Sequence, residues 1–193
     1  MINTKRPPIS YHCTHAHQQV SKVIDWMEGL AGGGRTLPAS WNELTPAPPY
    51  VLAANQTALS LAVNCGKPVL LAHTQLTGFE VVRRLLLEAS YPNPSYFANS
   101  FLLDSDFSRI TQLAKQIIDS PFHLWEPMEL NAEELYEWLA LFCDETGVQT
   151  VVIDDPLMFS GMSGNQSWVK LANHLNVEIL LYRPIEASGS LGI

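Results

Sequence analysis

"GKPVLLAHTQLTGFEVVRRLL", Gly66 to Leu86, changes its period partway along. Pro68 to Ala72 is a short, continuous apolar run, the pattern of a strand buried on both faces in a parallel sheet. From Thr77 the spacing becomes helical. Thr77 stands as N-cap with Glu80 three residues on, a capping box in which hydroxyl and carboxylate each satisfy a free amide. A buried strand leading directly into a capped helix is half of a parallel crossover unit.

The same alternation extends outward. Tyr50 to Ala54, Thr150 to Asp154 and Val177 to Tyr182 also read as buried strands, rich in Val and Leu. Val20, Val23, Ile24, Met27 and Leu30 recur at helical spacing, and Gly32-Gly33-Gly34 ends that helix. "NAEELYEWLALFCDETG" starts at the N-cap Asn131 with Glu134, should bury Leu135, Trp138, Leu139 and Phe142, and stops at Gly147. The expected fold is α/β, a mainly parallel central sheet flanked by helices. It forms one domain from Val20 to Ile193, behind a polar arm from Met1 to Gln19.

A chain of 193 residues, 47% hydrophobic and 16% charged, can bury a single core without staples. No apolar run approaches the ~18 residues of a membrane span, and the start lacks the order of a signal peptide. Three cysteines, Cys13, Cys65 and Cys143, suit reduced thiols, so the expected location is the cytoplasm. Net charge is -8, and no Lys or Arg lies between Lys115 and Lys170. Phosphate backbones are gripped by Lys and Arg, so autonomous nucleic-acid binding is not expected.

Gly66 to Leu86, followed by "GVQTVVIDDPLMF" (Gly147 to Phe159), resembles the RecA-type motor domain of DnaB-family replicative helicases. "GGGRTLPASWNEL" is similar to the start of that domain, and "WVKLANHLNVEILLYRP" to its sensor helix and strand. The resemblance runs from about Val20 to Ile193 and is weak between Tyr91 and Pro127. It implies a RecA-like, P-loop NTPase-type fold, reduced in size, and a connection with DNA replication.

It also marks what differs. The family places a phosphate loop after two alanines that match Ala53-Ala54, then a helix matching "ALSLAVN", Ala58 to Asn64. Aligning both flanks leaves about six residues missing, those that would carry the glycine and lysine of the loop. Asn55, Gln56 and Thr57 provide no cradle of N–H donors, and this alignment puts Thr57 in the first helical turn. Gln75 stands where the family has a catalytic glutamate. An amide cannot take a proton from water, and such general-base help is worth ~100- to 10,000-fold. Asp154 holds the Walker B position, where a carboxylate reaches magnesium through water; without nucleotide it would cap the following turn. Asp155 follows where the family more often has an apolar residue. "SGMSGNQS", Ser160 to Ser167, is short and uncharged where the family has a basic DNA-contacting loop, and too little chain precedes Val20 for the family's amino-terminal collar.

These features define the expected function: a non-catalytic, helicase-like binding or regulatory factor with no cofactor. Its partner would be a replicative helicase, another replication protein or a second copy. Trp41, Trp125, Trp138, Trp168, Phe79 and Met162 are candidate interface anchors. The competing reading is an NTPase or ATP/Mg binder using the carboxyl edge of the sheet, with His73, Gln75, Asp154 and Asp155 around the ligand. A separate candidate is "YHCTHAHQ", in which His12, Cys13, His15 and His17 offer zinc, copper or nickel donors at no standard spacing.

Overall fold

The computed structural model describes residues 13–31, 46–90, 104–127, 130–162 and 164–184. Its centre is a five-stranded sheet in the order β1-β3-β2-β4-β5. The strands are β1 (Cys13–His15), β2 (Val69–Ala72), β3 (Phe122–Trp125), β4 (Thr150–Ile153) and β5 (Glu178–Leu181). β3, β2, β4 and β5 are mutually parallel, and β1 runs antiparallel to β3. In register, Val69 faces Phe122 on one side and Thr150 on the other, while Ala72 faces Trp125 and Ile153. All four residues of β2 and of β4 are buried, as their continuous apolar runs require.

The helices are α1 (Ala16–Ala31), α2 (Pro49–Leu59), α3 (Gly78–Ser90), α4 (Asp104–Asp119), α5 (Ala132–Thr146) and α6 (Asn165–Leu175). They cover both faces. Val20 and Val23 of α1, Val51 and Ala58 of α2, Val82 and Leu85 of α3, and Ile110 and Ile117 of α4 pack with Leu71, Phe122 and Val152 of the sheet. On the other face Leu135, Trp138 and Leu139 of α5 and Trp168 and Leu171 of α6 close over Leu70, Trp125, Val151 and Ile153. Each fully buried aliphatic chain contributes about 1.5–3 kcal/mol. Trp125 and Trp138 stack with ring centroids 3.9 Å apart. No described helix is long and apolar enough to cross a membrane.

The structure departs from the sequence expectation in one place that matters. Tyr50 to Ala54 is not a strand but the opening of α2, which starts at Pro49 and passes into a wider π-helical turn over Ser60–Asn64. A short apolar run cannot by its period be told from a buried helical segment. Pro49 is the signal that decides it, because proline's fixed φ and missing N–H suit the first helical position. Thr57 consequently lies in the third turn of α2, not the first. The polar arm is also shorter than expected: Cys13–His15 are sheet and Ala16 to Gln19 are already α1, whereas residues 1–12 lie outside the described set.

The capping boxes are formed as read. The Thr77 N–H donates to Glu80 at 2.9 Å and the Glu80 N–H donates to the Thr77 hydroxyl at 3.3 Å. Asn131 and Glu134 exchange the equivalent pair at 3.0 Å each, and Gly147 ends α5 with φ +69. Phe142 is only partly buried. Replacing Asn131 by Ala is expected to lower unfolding free energy by about 1 kcal/mol. Asn131→Asp, which keeps an acceptor, should lose much less. Urea titration of both variants measures the difference.

Candidate functional site

Because β2 and β4 are parallel neighbours, their carboxyl ends release two loops side by side. His73, Thr74 and Gln75 leave β2; Asp154 and Asp155 leave β4. The sheet thus brings together all four positions singled out in the sequence, and the structure shows what each does.

Asp154 is fully buried. Its carboxylate accepts the Thr74 N–H at 3.0 and 3.1 Å and the Thr74 hydroxyl at 2.8 Å, with a further backbone donation from Gln75. It does not cap the turn that follows it. That is done by Asp155, whose Oδ1 accepts the Leu157 N–H at 3.0 Å over the single 3-10 turn Pro156–Met158. Asp154 instead ties the end of β4 to the loop leaving β2. Thr74 is the residue that sequence reasoning passed over. Its signal was chemical: a short hydroxyl side chain directly after a buried strand, able to donate twice to a carboxylate.

His73 is buried against the same loop. Its Nδ1 lies 2.7 Å from the Leu76 carbonyl, which can only accept, so Nδ1 carries the proton. Burial holds the imidazole below its ordinary pKa, opposed by the Leu76 bond and Glu126. His73 therefore shapes the loop as a neutral ring, while Gln75 is exposed at its tip.

α2 approaches this edge with its amino-terminal end. Burial, then the Asp155 and Asp154 carboxylates, raise the Tyr50 phenol above its ordinary range, which puts the first turn of α2 within their field. A helix start binds anions through free N–H groups. Here Pro46, Pro48 and Pro49 have none, and the Val51 and Leu52 N–H groups both donate to the Pro48 carbonyl, at 3.0 and 3.2 Å. The three side chains that follow turn elsewhere. Asn55 is buried with neither side-chain atom hydrogen-bonded, Gln56 donates to Glu88 at 3.2 Å, and Thr57 hydrogen-bonds the Tyr182 hydroxyl just past β5.

The metal candidates separate. His12 lies outside the described residues, and among those described no group of three or more His, Cys, Asp or Glu could hold a metal ion. Cys13 is in β1 with its thiol pushed up to about 12 by burial, far from the thiolate a metal needs. His15 and His17 have ring centroids 4.5 Å apart, and His15 meets His123 across the β1–β3 pairing at 5.0 Å. Burial, then the charge of His15, brings His123 down to about 4. Of the aromatic anchors, Trp125, Trp138, Trp168 and Met162 are buried core and Phe79 is partly buried, so they are not surface anchors; Trp41 lies outside the described residues.

No protein-family model matches the chain, and no curated protein sequence matches it. Its fold does match solved structures. One, the ATPase domain of a DnaB-like helicase, aligns with a TM-score of 0.56 and 15% identity, over 83% of this chain and 68% of that one. A DnaB-like replicative helicase, solved to show its interactions with primase, aligns with a TM-score of 0.55 and 16% identity, over 83% of this chain. This chain spans 46% of that helicase's length. The fold is therefore that of DnaB-like helicase ATPase domains.

Burial, ahead of the opposing Thr74 donations, raises the Asp154 carboxyl from 3.8 to about 6. Between those pH values the folded chain keeps a proton that the unfolded chain releases. Its contribution to stability is thus full below the ordinary carboxylate pKa and is lost as pH rises through about 6. The loss should be on the order of 3 kcal/mol. It is measured as the change with pH in the difference between wild-type and Asp154→Asn unfolding free energies. A difference that stays flat from acid to neutral pH contradicts this assignment.

Proposed function

We propose that this chain is a non-catalytic, helicase-like protein: a cytoplasmic binding or regulatory factor of DNA replication that does not hydrolyse ATP. The observation that carries the reading is the full occupation of Asp154 by its own protein. A Walker B carboxylate serves catalysis by presenting lone pairs to magnesium-bound water. In this chain those lone pairs take the Thr74 N–H, the Thr74 hydroxyl and the Gln75 N–H.

Two further features support it. The start of α2 spends its amides on Pro48 and sits in the field of two carboxylates, which repel a phosphate. At the tip of the β2–α3 loop, Gln75 has no proton-accepting oxygen of the carboxylate kind. A domain that keeps a capped, closely packed α/β scaffold and loses the groups that bind and activate a triphosphate is suited to contact another protein. The fold likeness to replicative helicase domains is what associates that partner with replication.

Equilibrium dialysis with ATP and magnesium, paired with a phosphate-release assay, tests the reading. The expected result is no saturable binding at or below about 1 mM and no turnover above the protein-free rate. Saturable binding, or turnover abolished by Asp154→Asn, contradicts it and favours a nucleotide site at the carboxyl edge of the sheet.

A further inference from the structure

β5 is paired on one side only. In a parallel ladder each residue sends its N–H and C=O to the same side, and successive residues alternate. The Glu178 and Tyr182 N–H groups donate to Gln149 and Ile153 at 2.9 Å each, so Glu178, Leu180 and Tyr182 serve β4. Ile179, Leu181 and Arg183 therefore direct their backbone groups away from the sheet. Among the described residues no backbone partner meets them.

This edge forms one wall of a groove of about 700 Å³ between β5, α6 and the Pro156–Met158 turn. Leu157 and Val169 line it at 79% and 56% exposure, among the most exposed large apolar residues described. Strand edges are usually blunted by a charge, a proline or a bulge. β5 offers Ile-Leu-Leu at its middle. The groove's charge is also unlike the rest of the chain: net charge is -8, yet the lining contains no carboxylate and a single cation, Arg183.

The geometry points to an extended segment of a partner protein as the occupant of this groove. It would add as a strand to the open edge of β5, with apolar side chains against Leu157 and Val169 and a carboxylate beside Arg183. Alternating donors and acceptors at about 6.6 Å intervals are matched by another strand's backbone, and apolar contacts on alternate residues supply selectivity. A second copy of this chain fits less well. In an antiparallel pair, directly opposed residues both face the partner strand or both face away. Arg183 faces out and Glu178 faces β4, so two β5 strands cannot oppose Arg183 to Glu178, and Glu178 already lies 3.8 Å from Lys67. The inference identifies the contact surface of the binding role proposed above and rests on that role. Nucleotide assays decide the parent reading, whereas the measurements below decide this one.

The test uses the full chain and two soluble peptides of about eight residues that alternate valine and threonine, with aspartate at either end. Backbone amide exchange by NMR is read with and without peptide. The expected result is saturable binding of one peptide, with slowed exchange at Ile179, Leu181 and Arg183 and little change at Leu180. N-methylation of the peptide at alternate residues should abolish it. Arg183→Glu should weaken the aspartate peptide about fivefold and favour a lysine counterpart. The proposal is overturned if neither peptide binds at millimolar concentration, or if the three amides are already slow in the isolated monomer. Protection that grows with protein concentration, together with a dimer in sedimentation, also overturns it in favour of a second copy. If Arg183→Glu leaves the aspartate preference unchanged, the acidic partner is excluded.

Discussion

A carboxylate taken out of water at the end of β4 must be satisfied from within, and Thr74 satisfies it. That contact joins two neighbouring parallel strands at the edge where an α/β sheet places its ligands, and it sets what the edge can do. Two central strands buried on both faces fix where the loops emerge. His73 then folds the first loop back through Leu76, and Thr74 and Gln75 present their amides to Asp154. The catalytic potential of the position is spent on holding the scaffold together.

The start of α2 follows the same logic. A phosphate-binding helix keeps its first amides free and its surroundings positive. α2 begins in a proline-rich stretch, returns two amides to Pro48, and meets Asp154 and Asp155 across a short gap. Its later turns are committed too, through Gln56 to Glu88 and Thr57 to Tyr182, so the helix is a structural cover for the sheet. With that helix in place the described sheet ends at β5, whose outer backbone faces a groove.

Much of this architecture was legible in the sequence because its signals are local. Thr77 with Glu80, Asn131 with Glu134, and Gly147 each announce a helix boundary, and the continuous runs in β2, β4 and β5 announce a parallel sheet. What was hidden depends on tertiary context. Tyr50 to Ala54 has the composition of a strand, and only its leading proline and the packing of Val51 and Ala54 make it helix. β3 is four residues between Pro121 and Pro127, and its prolines were the available signal. β1 is three residues whose pairing with β3 no local pattern encodes. At the site, the positions of His73, Gln75, Asp154 and Asp155 were readable, but the division of labour between the two aspartates was not. It arises from Thr74, eighty positions away from Asp154 in the chain and beside it in the fold.

The account's central claim is that Asp154 belongs to Thr74 and not to a bound magnesium. The most direct measurement is the amide resonance of Thr74 as magnesium and ATP are added together to millimolar concentration. The account predicts that its chemical shift and slow exchange stay as they are in the free protein. A saturable shift with accelerated exchange at Thr74, lost in Asp154→Asn, would mean the carboxylate has been surrendered to the metal and would contradict it.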